Sequence, residues 1–193
     1  MLQPKFNIIL ASNSPRRQKL LKEMRIDFRV EVKPVEEDFH PEMKPEEIAL
    51  FLCEKKIKAF DDSEIGPETL IITADTIVCL GDEILNKPES REHAIEMIEK
   101  LSGRLHRVIT GVALRSKEKM ISFTETTEVI FKNLNRMEIE FYTDNFEPYD
   151  KAGAYGIQEW IGLTGIERIN GSYYNVVGLP TARLWKELAA FCV

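Results

Sequence analysis

The chain has 193 residues, of which 44% are hydrophobic and 30% are charged, and it contains ten glycines and nine prolines. This length and composition predict one domain over residues 1–193, with room for two lobes, and exclude a collagenous or low-complexity protein. The 32 acidic residues outnumber the 26 basic ones, and the resulting net charge of −6 argues against a nucleic-acid coat or a basic membrane-surface protein.

Hydrophobic spacing and turn residues predict alternating strands and helices. The elements expected in the first half are a strand at Asn7–Leu10, a helix opened by Pro15, a helix opened by Pro45 and, from the run Thr69–Leu80, a strand pair that turns near Gly81-Asp82. In the second half we expect a helix capped by Ser90 and ended by Gly103, followed by β-rich runs at 107–114 and 121–131 and a helix at 136–145. Short strands are expected within 152–178. A last helix is expected after Pro180, with Leu184, Leu188 and Phe191 buried. Because hairpins interrupt the alternation, the expected fold is α/β with a mixed sheet flanked by helices.

The cysteines and the N-terminus indicate the cellular compartment. Cys53, Cys79 and Cys192 form no CxxC pair, which is typical of reduced, buried thiols in a cytosolic protein. The apolar run at 6–11 is too short for a signal peptide or a membrane span. The sequence therefore predicts a cytoplasmic protein with no membrane partner.

The stretch 12–17, with the sequence SNSPRR, directly follows the first predicted strand. Ser14 begins a helix in the ordinary way, but a helix N-terminus carries about half a positive charge and favours acidic residues, whereas Arg16 and Arg17 stand here. A bound phosphate would reverse this repulsion, because backbone N–H groups, the hydroxyls of Ser12 and Ser14 and both guanidinium groups would converge on it. The alternative is that both arginines extend into solvent.

Further candidate residues carry the chemistry that a phosphate site needs. Asp75 lies inside the apolar run Thr69–Leu80, where a carboxylate is either a satisfied structural residue or part of a cleft, as a ligand for a hard divalent cation or as the acceptor of a proton from water. Lys87 is either a phosphate-binding ammonium or a solvated loop lysine. We expect one of the three lysines within 55–58 to face inward. No P-loop, GxSxG or GxGxxG motif occurs, which disfavours Walker-type NTPases, esterases and Rossmann dehydrogenases.

Taken together, these motifs resemble those of the Maf family of nucleoside triphosphate pyrophosphatases. The matching stretches occur in order along nearly the whole chain: ILASNSPRR at 9–17, ADTIV at 74–78, KP at 87–88, SG at 102–103, TGV at 110–112, KAGAYGIQ at 151–158 and NVVGLP at 175–180. The resemblance implies a twisted, mixed sheet in two lobes with a central cleft, similar to that of inosine triphosphate pyrophosphatases.

The resemblance also implies a reaction, namely hydrolysis of a nucleoside triphosphate to the monophosphate and pyrophosphate with a divalent metal, Mg or Mn, in nucleotide-pool sanitation. The residues that match the family's site are the proton acceptor Asp75, the phosphate-binding cations Arg17, Lys56 and Lys87, and the acidic residue Glu37 near the metal. Three choices stay open: whether Asp75 is base, metal ligand or both, whether Lys55 or Lys56 faces the site, and which carboxylate of 36–38 is used.

Three positions bear on the substrate that the resemblance implies. Arg16, Thr76 and Gln158 agree with the subfamily that acts on dTTP and UTP, and Thr76 with Gln158 would pair with the carbonyl and imide N–H edge of a pyrimidine. The alternatives are an enzyme for 7-methyl-GTP or for a purine such as ITP, or a non-catalytic regulator of septum formation and cell division. The expected partner is the nucleotide substrate, with no nucleic acid, and a homodimer stays open.

Overall fold

The computed structural model of the chain describes residues 6–191. The helices are α1 (Pro15–Glu23), α2 (Pro45–Lys58), α3 (Arg91–Leu101), α4 (Arg136–Phe146), α5 (Trp160–Gly165), α6 (Tyr173–Val177) and α7 (Thr181–Phe191). The strands are β1 (Asn7–Leu10), β2 (Phe28–Val30), β3 (Thr69–Leu80), β4 (Glu83–Leu85), β5 (Leu105–Arg115), β6 (Met120–Phe131) and β7 (Ile166–Asn170). Short 3-10 turns lie at Asp62–Glu64, Pro148–Asp150 and Ala152–Ala154.

Most of the predicted elements are confirmed, and the helices begin with the expected capping chemistry. Ser14 Oγ accepts a hydrogen bond from the backbone N–H of Arg17 at 3.4 Å, at the start of α1. Ser90 Oγ accepts one from the backbone N–H of His93 at 3.1 Å, at the start of α3. The predicted turn after β3 lies at Gly81, whose φ of 62° suits glycine, and it returns the chain as the antiparallel strand β4.

Two parts of the chain differ from the prediction. The strand β2 was not expected, because it has only three residues and its side chains are half-buried or exposed, so no apolar pattern marks it. The segment 152–178 was expected to form short strands, but it contains the helices α5 and α6 beside β7. In α5, a Cβ at Gly162 would stand 1.8 Å from the carbonyl oxygen of Ile157, and a hydropathy pattern does not reveal such a close approach.

The predicted buried residues are confirmed with one correction. In α7, Leu184 and Leu188 are buried, but Phe191, the last residue of the helix, is only half-buried, and Lys119 Nζ lies 4.9 Å from the centroid of its ring. The thiols of Cys53 and Cys79 are buried and form no disulfide, and Cys192 lies outside the described residues. None of the helices described within 6–191 combines the length and the apolarity that crossing a bilayer requires.

The strands form one mixed sheet in the order β2-β1-β3-β5-β6-β7, with β4 paired to β3. The strand β1 runs parallel to both of its neighbours, and its last residue Leu10 pairs with Val30 of β2 and Ile72 of β3. The strands β6 and β7 are antiparallel. The α/β class with a mixed sheet and flanking helices is therefore confirmed.

The described chain divides into two compact units, each with its own apolar core. The first unit comprises 6–75, 110–125 and 178–191, and the second comprises 76–109 and 126–177. The core of the first unit contains Ile9, Cys53, Ile57, Phe60 and Ile71 among others. The core of the second unit is built on the buried faces of α3 and α4 and on the rings of Phe131 and Tyr155, whose centroids are 4.9 Å apart. A single domain over 1–193 stays a prediction.

Candidate active site

The loop between β1 and α1 lies beside the middle of β3. Leu10 pairs with Ile72, and the backbone N–H of Ala11 continues this ladder by donating to the Ile72 carbonyl at 2.8 Å. Because β1 and β3 are parallel, the residues that follow Leu10 lie next to those that follow Ile72. Residues 12–17 therefore lie beside residues 73–75, in the middle of β3.

Arg17 is the residue that joins these two stretches. Its Nη1 donates to the Ala74 carbonyl at 2.8 Å and to Ser12 Oγ at 3.2 Å, and its Nε donates to the Gly178 carbonyl at 2.8 Å. Gly178 has a φ of 123°, a conformation that L side chains rarely adopt, so glycine is needed to present this carbonyl. The structure places the half-buried Arg17 inward rather than in solvent.

The charges around Arg17 belong to the residues that the sequence singled out. Burial lowers the pKa of Arg17, and the negative charge of Asp75 opposes that effect. The neighbouring charge of Arg16 lowers this pKa further, while Glu37 raises it. A guanidinium remains charged at neutral pH despite such shifts, so a fixed cation lies within Coulombic reach of both carboxylates.

The helix α2 is held against β3 and β5 by two close contacts. Thr73 Oγ1 donates to the Cys53 carbonyl at 2.7 Å, which ties β3 to the middle of α2. On β5, a Cβ at Gly111 would stand 2.1 Å from the Ala49 carbonyl oxygen, so any side chain at that position would push α2 away. Sequence reasoning gave Thr73 and Gly111 no role, although Gly111 lies in one of the matching motifs.

These contacts bring Lys56 to Asp75. Lys56 Nζ forms ion pairs with Asp75 Oδ1 and, at 2.6 Å, with Glu37 Oε1. The side chains of Asp75 and Lys56 are 12% and 18% exposed, whereas that of Glu37 is 52% exposed. Lys55 turns instead to Asp38. Of the two adjacent lysines, Lys56 is therefore the one that faces Asp75.

The Cys53 thiol, whose pKa responds to the charge of Asp75, is unreactive at neutral pH. Burial raises the pKa of Cys53 to about 12, and the charge of Asp75 contributes in the same direction. The Sγ atom donates to the Leu50 carbonyl at 3.0 Å. Because the thiolate is the nucleophilic form of cysteine, Cys53 offers no nucleophile at neutral pH.

Glu37 and Asp75 have the chemistry of a site for a hard divalent cation. Both are carboxylates, and both converge on one positive charge, the Lys56 ammonium. Across residues 6–191 no group of three or more His, Cys, Asp or Glu side chains is arranged to hold a metal ion. Two carboxylates nevertheless fit Mg²⁺, which keeps several waters and takes further ligands from substrate phosphates.

Three of the remaining predicted residues belong to the second unit, whereas Ser14 and Arg16, both half-buried, belong to the first. Thr76 follows Asp75 on β3 and is half-buried, while Lys87 is exposed between β4 and α3. Gln158 is exposed, and its Nε2 lies 3.5 Å from Glu159 Oε1. In the first unit, by contrast, the structure brings together five predicted residues in one group: Ser12, Arg17, Glu37, Lys56 and Asp75.

A strand-end loop that leads into a helix N-terminus with arginines, beside a carboxylate and a lysine, is typical of α/β proteins that bind phosphate groups. The family model described as Maf-like protein matches residues 7–191, and the chain belongs to this family.

Relatives of this chain carry a consistent name. A protein of Bacteroides fragilis named dTTP/UTP pyrophosphatase is 48% identical over 185 residues, which cover 95% of each chain. A protein of Cytophaga hutchinsonii with the same name is 50% identical over 182 residues, or 94% of this chain and 83% of the relative. A solved structure of the Staphylococcus aureus Ham1 protein matches 65% of this chain and 71% of that chain, with a TM-score of 0.45 and 19% identity.

Proposed function

We propose that this protein hydrolyses dTTP and UTP to the nucleoside monophosphate and pyrophosphate. The observation that carries the proposal is the pairing of the largely buried Asp75 with Lys56, in a group that also holds Arg17. The name shared by the relatives from Bacteroides fragilis and Cytophaga hutchinsonii supports the same reaction and the same substrates.

The reaction is displacement by water at the α-phosphorus. The water oxygen forms a bond to that phosphorus, the bond from phosphorus to the bridging oxygen breaks, and pyrophosphate leaves. The Asp75 carboxylate accepts the proton that the water loses. Lys56 and Arg17 bind the phosphate oxygens and stabilise the negative charge that builds up on them and on the leaving group.

The substrate replaces one partner of the resident ion pairs. The Lys56 ammonium binds Asp75 and Glu37. A triphosphate offers this ammonium further acceptors, because each phosphate oxygen can form a charge-assisted hydrogen bond. Asp75 then becomes available for water, while its strand holds it in place.

A divalent metal, Mg²⁺ or Mn²⁺, would be held by Glu37 and Asp75 together with phosphate oxygens of the substrate. When bound, it supplies positive charge that polarises the phosphate group under attack. Asp75 would then serve as metal ligand, as proton acceptor or as both.

The other predicted residues complete the proposal. The hydroxyls of Ser12 and Ser14 and the N-terminus of α1 would donate hydrogen bonds to phosphate oxygens, and Lys87 would add a further cation. Arg16, Thr76 and Gln158 would select the nucleotide, with Thr76 and Gln158 pairing with the edge of the base.

The experiment that tests this function measures pyrophosphate release from UTP, dTTP, CTP, GTP, ITP and 7-methyl-GTP by the purified protein. Each nucleotide is assayed with Mg²⁺, with Mn²⁺ and with a chelator. We expect the fastest release from UTP and dTTP and none with the chelator.

Other results would redirect the proposal. Preference for 7-methyl-GTP or ITP would overturn the substrate assignment but retain the reaction. Tight binding of nucleotides without turnover under every condition would favour a regulatory, non-catalytic protein.

A further inference from the structure

The second unit contains a buried ionic group that the proposed reaction does not use. Lys151 is buried, with its side chain 10% exposed, and its Nζ lies 2.8 Å from Asp150 Oδ1 and 3.1 Å from Glu159 Oε1. A buried ammonium needs such partners, because an unpaired charge away from water is costly. Lys151 therefore holds the Glu159 carboxylate in one place.

Glu159 is held from the other side by a tyrosine. The Tyr142 hydroxyl donates to Glu159 Oε2 and accepts a hydrogen bond from the backbone N–H of Gly156 at 2.9 Å. Burial raises the pKa of Tyr142, and the bond to Glu159 contributes in the same direction, so the phenol stays protonated as a donor. Both oxygens of Glu159 are thus fixed by buried groups.

This fixed carboxylate borders the side chain of Gln158. The Gln158 Nε2 lies 3.5 Å from Glu159 Oε1. The same amide lies over the backbone of Gly156, where a Cβ would stand 2.9 Å from Gln158 Nε2 and 2.8 Å from Glu159 Oε2. A glycine at 156 is what allows both side chains to pack there.

The chemistry of these groups decides which way the amide of Gln158 points. A carboxylate only accepts hydrogen bonds, so it attracts the NH₂ end of an amide and repels the oxygen end. We propose that Glu159 is a positioning residue that turns the Gln158 amide oxygen away from itself, and so presents an acceptor to the nucleotide base. This inference depends on the proposed function, in which Gln158 faces the base.

An acceptor in this place distinguishes between the pyrimidines. Uracil and thymine carry a donor at N3, which pairs with an amide oxygen. Cytosine carries an acceptor at N3, so the same oxygen would meet a second acceptor, and neither would be satisfied. A polar site rejects the analogue that leaves its groups unpaired, and one well-placed pair changes the preference by about tenfold or more.

The test compares the ratio of kcat/KM for UTP to that for CTP in variants of position 159. Glu159→Ala removes the acceptor that orients the amide, and we expect the ratio to fall by about tenfold. Glu159→Asp keeps a negative charge for Lys151, which protects folding, but its side chain is one methylene shorter and draws the carboxylate back from the Gln158 amide. The ratio should fall in this variant as well.

A matched control separates orientation of the amide from loss of structure. Tyr142→Phe removes the hydroxyl from Glu159 Oε2, whereas Oε1, the oxygen beside the Gln158 amide, keeps its ion pair with Lys151. This substitution should lower the melting temperature without changing the ratio. In a Gln158→Ala background, Glu159→Ala should have no further effect on the ratio, because the group that it orients is absent.

The outcomes also separate this inference from the function on which it depends. If the unmodified protein releases no pyrophosphate from UTP or dTTP, the proposed function fails. If it does so and prefers UTP to CTP, but folded Glu159→Asp or Glu159→Ala keeps the same ratio, the proposed function stands and the role of Glu159 is overturned.

Discussion

Each unit of the protein holds one lysine between two carboxylates, but the two groups are built differently. In the first unit, Lys56 of α2 lies between Asp75 of β3 and Glu37 of a loop. In the second unit, Lys151 lies between Asp150, its neighbour in sequence, and Glu159. The first group is assembled from distant parts of the chain, and the second is local.

The difference lies in what holds the carboxylates. Glu37 is half-exposed, so water reaches its carboxylate and its partners can exchange. Those of Glu159 cannot, because its side chain is only 20% exposed and both of its oxygens have buried partners. We therefore expect similar charges to serve chemistry in the first unit and positioning in the second.

The largest effect is expected from Asp75→Asn. The amide keeps the shape of the carboxylate but accepts no proton, so kcat should fall by about 10²–10⁴-fold. Pyrophosphate release from UTP and circular dichroism on the same preparation measure activity and folding. Asp38→Asn, which changes an acid paired with Lys55, is the matched control and should retain activity. Substantial activity in Asp75→Asn would return this residue to a structural role.

The two lysines should fail in different ways when each is changed to methionine. Lys56→Met removes the ammonium that, in the proposed reaction, binds phosphate oxygens of the substrate. We therefore expect kcat/KM for UTP to fall by about 10²-fold. Lys151→Met leaves the carboxylate of Glu159 without its ammonium, and we expect the free energy of unfolding to fall by about 3 kcal/mol.

Urea unfolding and steady-state kinetics on both lysine variants separate the two effects. The assignment of Lys56 to the reaction is wrong if Lys56→Met mainly loses stability. The assignment of Lys151 to the structure is wrong if Lys151→Met keeps its stability and loses turnover of every nucleotide.

A pair of arginines in the first unit gives a closer comparison. Both side chains donate hydrogen bonds to backbone carbonyls. Arg17 donates to those of Ala74 and Gly178, and Arg115 donates to those of Ile57 and Phe60. Because Arg17 also lies near Asp75, Arg17→Ala should raise KM and lower kcat, by about 10²-fold in kcat/KM. Arg115→Ala should lower stability and leave the kinetics unchanged. Equal kinetic losses in the two variants would show that Arg17 only supports the structure.

The smallest effect concerns pH and the second unit. Burial lowers the pKa of His106 from 6.5 to about 4, so the unfolded chain binds a proton there at a higher pH than the folded chain does. Stability from this residue is therefore present above pH 6.5 and falls as the pH falls, by about 1.5 kcal/mol between pH 6.5 and 5.

Urea unfolding at several pH values, compared with His106→Leu, isolates this contribution. The variant loses the bond between His106 Nε2 and Tyr155 Oη, so it should be less stable at neutral pH, but its stability should fall less steeply with acid. Parallel curves for the two proteins would show that His106 does not titrate in this range.

Much of the first unit could be predicted because its signals are local. Two arginines at a helix N-terminus break the usual charge preference, and a carboxylate inside an apolar strand stands out at Asp75. The parallel pairing of β1 with β3 then brings these features together.

The choice between Lys55 and Lys56 could not be predicted. Adjacent residues on a helix point in directions about 100° apart, and the rotation of α2 is set by its contacts with Thr73 and Gly111. Those contacts join residues that are far apart in the sequence. The hydrogen bond between Tyr142 and Glu159 could not be predicted either, because no local sequence pattern indicates it.

In the proposed reaction, water readied by Asp75 attacks the α-phosphorus. Hydrolysis of UTP in water enriched in oxygen-18, followed by mass spectrometry of both products, tests this most directly. Attack at the α-phosphorus puts one heavy oxygen in UMP and none in pyrophosphate. Heavy oxygen in pyrophosphate instead would show attack at the β-phosphorus and would contradict it.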